Sequence, residues 1–415
     1  MGQGAEYGVR IDARRGADSL ALSLMLFMAM NSIAMSLMPI VKNGLEERFS
    51  FSASQIGFLT SIFMLTFAIG AIPMGLAAAR WGGRTIIAGA ALFVLGSVLF
   101  ALSASYPWFL VARFLQGVGS STVLPASNSL MAQAITPRYH ARSLGFFGTG
   151  HGLGVVAALL IMPSIEEAGG YRGVSLATAA IAVAIALVAA AQKPVRARPL
   201  HPEGVPSLSA LMRGVGAVAI NRSLLLLALI NIAVMAIVVG LLAWTPPFLE
   251  DQRGASQAVA LYLTAAIGVA QMIGNVAGAI AMARWGKPFV LLTGVALMFI
   301  ATALVPIAPG FALAIVCVVI AGFLTMVLFP AIFGSVPDIV ARPDQVGSAT
   351  GFVNLTGVFG TLLAPWLFGV LLDAYGTASG EPGYLSGYLL LALFPFLGTI
   401  AGATYMVARR KKAAN

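Results

Sequence analysis

The segment GLAAARWGGRT, residues 75–85, stands between two long apolar runs, and a shortened form, AMARWGKP, returns at 281–288. Each is a brief basic interruption in a greasy stretch. The surrounding chain explains why such an interruption matters. Of 415 residues, 59% are hydrophobic and 9% charged, and the mean hydropathy is +0.94. A soluble domain of this length needs far more polar surface. Apolar runs of about 20 residues cross roughly 30 Å of hydrocarbon as helix. Twelve such runs are present: 20–41, 54–78, 85–103, 107–135, 143–165, 173–191, 223–249, 257–282, 289–308, 311–337, 346–372 and 384–407. Strands fit poorly, because runs such as AALFVLGSVLFAL (90–102) do not alternate.

Both copies of Ala-Arg-Trp-Gly fall between spans, the first between spans 2 and 3, the second between spans 8 and 9. The same half-length offset recurs elsewhere. Ala53-Ser54-Gln55 opens span 2 and Ala255-Ser256-Gln257 opens span 8. Pro125 in span 4 matches Pro330 in span 10. Gly145-Phe146 and Gly154 match Gly351-Phe352 and Gly360. One offset of 202–206 residues relates all of them, which argues for two parallel six-helix repeats. The predicted organisation is an N-terminal tail (1–19), a first six-helix half (20–191), a linker (192–222), a second half (223–407) and a basic tail (408–415). Within the linker, SLSALMRGVG (207–216) reads as a short amphipathic surface helix.

The basic residues set the orientation. With twelve spans both termini share one side, and that side collects 19 of the 24 lysines and arginines against 4 on the other. The expectation is a bacterial inner-membrane protein with both termini in the cytoplasm. The formal charge of +10 is thereby a topology signal, and no nucleic-acid partner is implied. The single cysteine, Cys317, rules out a disulfide framework, and His, Cys and carboxylates do not cluster as metal ligands.

The pattern Gly75-x-x-x-x-Arg80-Trp81-Gly82-Gly83-Arg84, with its echo at Arg284, resembles the loop motif of the major facilitator superfamily. Arg113-Phe-Leu-Gln116-Gly117 resembles that family's R-x-x-Q-G motif. The resemblance covers residues 20–407. It implies an all-α membrane protein with 12 transmembrane helices in two six-helix pseudo-symmetric halves, and transport by alternating access. It also implies gating roles for Gly75, Arg80, Gly82, Arg84 and Arg284. Two departures stand out. Ala79 occupies the place of the family's usual aspartate, leaving Asp338 as the expected acceptor for Arg80 or Arg84. Val155 replaces the proline of the family's antiporter motif after Gly150-x-x-x-Gly154, which weakens a drug-antiporter reading.

Polar groups at depth mark function in a membrane protein. All 14 acids fall in loops or at span ends. Arg113 lies about 10 Å inside span 4 at 1.5 Å per residue, with Gln116 and Ser120 on the same face. Burying it costs at least about 2.5–3.5 kcal/mol on insertion scales. Two readings stand for Arg113, recognition of a substrate's negative charge or donation to carbonyls of a neighbouring helix. His151, near the midplane in a glycine-rich part of span 5, suits a protonation cycle or a hydrogen bond to a carbonyl. Asn31, Asn231, Gln271, Asn275 and Asn354 are the neutral candidates, each a substrate contact or an interhelical bond, with Gln271 and Asn275 on one face at i, i+4. Trp244 joins them in span 7.

The leading expectation is a monomeric secondary transporter of a small organic anion, co-transported with a proton through His151, with no cofactor and no metal. Two alternatives remain: an exporter of hydrophobic compounds, with the apolar span 10 as its wall, and a non-transporting scaffold or sensor of the same fold. No nucleophile–base pair or carboxylate pair points to an enzyme.

Overall fold

The computed structural model describes residues 11–197, 216, 219–340, 345–378 and 380–414. The amphipathic surface helix expected at 207–216 lies, but for Gly216, outside the described residues. The chain is almost wholly helical: α1 (Arg14–Met35), α2 (Leu37–Phe49), α3 (Ala53–Trp81), α4 (Arg84–Leu102), α5 (Tyr106–Ser120), α6 (Val123–Ala134), α7 (Pro137–Ala191), α8 (Lys193–Arg196), α9 (Arg222–Arg253), α10 (Gln257–Trp285), α11 (Lys287–Leu304), α12 (Gly310–Ser335), α13 (Val346–Tyr375) and α14 (Gly383–Ala414). Helices leave no backbone group unpaired in lipid. Large apolar side chains such as Leu95, Val111, Leu187, Val276 and Ile300 are exposed along them, as a lipid-facing surface requires.

The twelve expected spans map onto these helices with three local surprises. Span 1 is broken into α1 and α2 at Ser36. Pro39 carries no N–H for the carbonyl of Met35, and its ring crowds that carbonyl, so a continuous helix is interrupted there. Span 4 is broken into α5 and α6 at Ser121-Thr122. The hydroxyls of these residues compensate, Ser121 Oγ donating to Val118 O at 2.6 Å and Thr122 Oγ1 to Gly119 O at 2.9 Å. Spans 5 and 6 run together as α7, turning at Gly170, whose φ of 57° is a left-handed conformation suited to glycine.

The backbone divides into two compact units, residues 1–37 with 62–208, and residues 38–61 with 209–415. The second unit thus includes α2 and the first turns of α3, which the sequence repeat assigns to the first half. Within the first unit α1 packs on α7, and α4 packs on both α5 and α7. The second unit repeats the scheme: α9 packs on α13, and α11 packs on both α12 and α14. Gly154 and Gly360 hold equivalent places in it. A Cβ at Gly154 would lie 2.2 Å from Ala29 O, and one at Gly360 2.2 Å from Ile232 O. Gly154 lets α7 approach the backbone of α1, and Gly360 lets α13 approach that of α9, more closely than any side chain permits.

Candidate functional site

The polar core of the first unit is organised around the last turn of α1. Arg113 on α5 is fully buried. Its Nη1 donates to Ala34 O at 3.1 Å and to Gln116 Oε1 at 2.9 Å. Ala34 O lies just before the α1–α2 break, where the helical ladder is interrupted, so a side-chain donor is useful there. The guanidinium carbon sits 4.3 Å from the centroid of the Phe63 ring. Gln116 Nε2 passes the chain on to Ser97 Oγ at 3.1 Å. Each charge-assisted hydrogen bond contributes about 1.5–3 kcal/mol, and a desolvated cation–π contact about 2. Together they offset the insertion cost of the arginine. Ser120, seven residues on, is also fully buried.

One turn of α1 also holds His151. Its Nδ1 lies 2.8 Å from Ser32 Oγ, which also lies 3.2 Å from Met28 O. The pair ties the imidazole ring to α1, and the tautomer of the ring sets which of the two atoms donates. Asn31, next to Ser32, is buried. The structure thus gathers Asn31, His151, Arg113 and Gln116 around α1.

In the second unit the candidates are not gathered. Asn231 on α9 is fully buried and donates to Val353 O at 2.7 Å. Gln271 on α10 is 2% exposed, and neither atom of its amide has a hydrogen-bond partner among the described residues. Asn275, expected to share its face, is exposed, and so is Asn354 on α13. Trp244 donates to Pro365 O at 3.0 Å and stacks on Phe368 with centroids 5.2 Å apart.

The loop residues keep their repeat relationship in the backbone. Gly82 has φ 60° and Gly286 has φ 81°, so both copies of the motif turn at a left-handed glycine. Trp81 and Trp285 are both exposed, at positions suited to a membrane interface. Gly75 is half-buried, while Arg80, Arg84 and Arg284 are exposed. Arg84 Nε reaches Arg196 O at 3.4 Å. Asp338, the expected acceptor for Arg80 or Arg84, is occupied within its own unit. Lys287 Nζ lies 2.8 Å from its carboxylate and Arg409 Nη2 3.7 Å.

Sequence reasoning missed a second polar system, on α2, α3, α9, α10 and α13 of the second unit. Asn43 Nδ2 donates to Glu250 Oε2 at 2.9 Å, and Gln257 Nε2 to Ile40 O at 2.8 Å. Asp373 accepts from the backbone of Ala53 and Ser54. The partners lie more than 200 residues apart, and the only sequence signal was the Ser52-x-x-Gln55 capping box opening α3.

A family model described as Major Facilitator Superfamily matches residues 20–340 and 253–415. The hexuronate transporter of Bacillus subtilis (strain 168) is 25% identical over 410 residues, 93% of this chain and 96% of that protein. The probable anion transporter 4, chloroplastic, of Arabidopsis thaliana is 33% identical over 157 residues, 37% of this chain and 29% of that protein. Among solved structures, a bacterial homolog to the human lysosomal transporter Spinster, in an inward-facing and occupied conformation, matches with a TM-score of 0.77. That likeness is one of fold, at 19% identity over 96% of this chain and 98% of the other. The helix order, the repeated loop and these matches agree: the chain belongs to the major facilitator superfamily and is a membrane transporter, not an enzyme.

Proposed function

We propose that this protein is a proton-coupled secondary transporter of small organic anions in a bacterial inner membrane, working as a monomer by alternating access. Both termini face the cytoplasm, residues 20–191 and 223–407 form the two moving halves, and 192–222 is the cytoplasmic linker. The observation that carries the anion assignment is the charge at depth: none of the 14 acids stands at a span centre, while Arg113 lies buried inside span 4. The names of the hexuronate and anion transporters among its relatives support the same class.

Arg113 acts through its field. Its Nη1 already serves Ala34 O and Gln116 Oε1. A unit charge still attracts a carboxylate about 8 Å away by about 2 kcal/mol at an effective dielectric of about 20. Asn31, Asn231 and Gln271 supply neutral hydrogen bonds. Gln271 carries the clearest debt, since a buried amide without partners costs about 1–3 kcal/mol that a polar solute repays. Asn275 and Asn354 extend the polar wall. His151 carries the proton. Gly75, Arg80, Gly82, Arg84, Arg284 and Asp338 form the cytoplasmic gate.

Uptake into proteoliposomes tests the proposal. A panel of radiolabelled mono- and dicarboxylates, including a hexuronate, is compared with a neutral sugar and an organic cation, with and without an inward proton gradient. Concentrative uptake of at least one carboxylate is expected. Uptake of the cation alone rejects the anion assignment.

A further inference from the structure

The first turns of α3 and the last turns of α13 run antiparallel in four rungs. Ser61 Oγ donates to Leu362 O at 2.6 Å. A Cβ at Gly57 would lie 2.2 Å from Pro365 O, and a Cβ at Gly369 would lie 2.4 Å from Ala53 O. At the tip, Asp373 Oδ1 accepts from Ala53 N at 2.8 Å and Oδ2 from Ser54 N at 2.9 Å. Ala53, Gly57 and Ser61 are small residues four apart, and they face Gly369, Pro365 and Leu362 in order.

The tip is not ordinary helix capping. The helix α3 caps itself through its box: Gln55 N donates to Ser52 Oγ at 3.3 Å, and Ser52 N donates to Gln55 Oε1 at 2.9 Å. That leaves the N–H groups of Ala53 and Ser54 for an outside acceptor, and the Asp373 carboxylate takes both. Asp373 itself sits in the last turn of α13, where a negative charge opposes its own helix dipole. Its placement is unfavourable locally and favourable only against the N-terminus of α3. The repeat has no second copy of this device. With the offset that aligns Ala53 with Ala255, Gly57 and Ser61 become Val259 and Leu263, and Ser52 becomes Gly254.

We propose that Asp373 is the positioning residue of the outer gate: its two charge-assisted bonds to Ala53 and Ser54 hold α3 on α13, and the outer end opens when they break. The proposal rests on the alternating-access reading above, but its test needs no substrate. When the gate opens, Phe58 also leaves Trp366, the ring centroids lying 6.0 Å apart in the closed contact, and the carboxylate carries the charged part of the difference between the closed and open states.

The experiment starts from Cys317→Ala, which removes the only cysteine, with single cysteines then placed on the outer halves of α1 and α9. Labelling by a membrane-impermeant maleimide is measured in right-side-out vesicles. Asp373→Asn keeps the shape but offers one N–H an amide donor instead of an acceptor. It is expected to raise the outer labelling rate about tenfold, the equilibrium shift that one lost bond and the lost charge on the other at a helix terminus allow. Asp373→Glu, which keeps the charge, is expected to restore at least part of the closed ratio. Ser61→Ala, at the deepest rung, serves as a second variant should Asp373→Asn not fold, and is expected to raise labelling in the same direction. An unchanged labelling ratio in a folded Asp373→Asn protein, or a loss of thermal stability with no change in ratio, overturns the assignment. Failure of every carboxylate in the uptake panel leaves this readout intact, so the two results are separable.

Discussion

His151 Nδ1 and Ser32 Oγ lie 2.8 Å apart across the contact between α7 and α1. The bond ties the imidazole of α7 to the same stretch of α1 whose Ser32 hydroxyl also lies 3.2 Å from Met28 O. His151→Asn keeps a donor for Ser32 and removes the titratable nitrogen. Imidazole changes charge within pH ~5–8, and it is protonated on the acid side of that range. Uptake driven through His151 therefore rises as outer pH falls from about 8 to about 5 in the parent protein, and is flat with pH in His151→Asn. Initial rates across that range check this, and a parallel pH dependence in the two proteins assigns the proton path elsewhere.

The two repeats make paired predictions about packing. Gly154 and Gly360 press against backbone, whereas Gly145 and Gly351, also repeat mates, have nothing within 4 Å of an added Cβ. Gly154→Ala and Gly360→Ala are each expected to destabilise by about 1–3 kcal/mol, the usual range for overpacking. Gly145→Ala and Gly351→Ala should be neutral or slightly stabilising, since helical glycine carries an entropic cost of about 0.5–1 kcal/mol. Melting temperatures of the four purified variants in one detergent decide it. Equal effects at the tight and open positions contradict the packing.

The Lys287–Asp338 pair is half-exposed, with side chains 34% and 37% accessible. Pairs of that kind contribute about 0–1 kcal/mol. Asp338→Asn is accordingly expected to leave the melting temperature nearly unchanged while altering the ratio of labelling on the cytoplasmic side. A large stability loss with an unchanged ratio identifies the pair as a strut rather than a gate part.

Much of this architecture was legible because a membrane span is written in one variable, hydropathy, and because the chain writes its design twice. Gly82 and Gly286 could be matched by residue type, and both take a positive φ. What hydropathy cannot report is where a span is broken. Ser36 and Ser121-Thr122 sit inside apolar runs that read as continuous, and only the position of Pro39 and the hydroxyl-rich run 120–122 hinted at the breaks. The extension of span 5 into span 6 through Gly170 was equally silent. For the candidate site, Arg113 was conspicuous because a charge at depth is costly, and Gln116 because it shares that face in the R-x-x-Q-G pattern. Asp373 was passed over because an acid at a span end has many harmless uses. Its partner is backbone, and backbone N–H groups leave no trace in a residue pattern. The pairing of Asn43 with Glu250 failed to show for a related reason, as a contact 207 residues apart has no periodicity to betray it.

Arg113 gives the sharpest test of the anion assignment, because its geometry separates charge from contact. The guanidinium is closed off by Phe63, Ala34 and Gln116 and has no exposed surface. If it attracts the substrate by field, Arg113→Lys keeps the charge and most of the affinity, while losing the Nη1 that bonds both Ala34 O and Gln116 Oε1. The expected result is a KM for the carboxylate within about threefold of the parent, the lost charge-assisted bonds being worth about 1.5–3 kcal/mol of stability. Arg113→Gln keeps hydrogen-bonding capacity and removes the charge. Its KM is expected to rise about 10–30-fold, matching a lost attraction of about 1.4–2 kcal/mol, with maximal velocity less affected. A KM that moves for Lys as much as for Gln assigns Arg113 to direct contact, which requires Phe63 to swing away when substrate binds. A KM that moves for neither, with both proteins less stable, makes Arg113 a strut between α5 and α1, and the negative charge must then be recognised by another group.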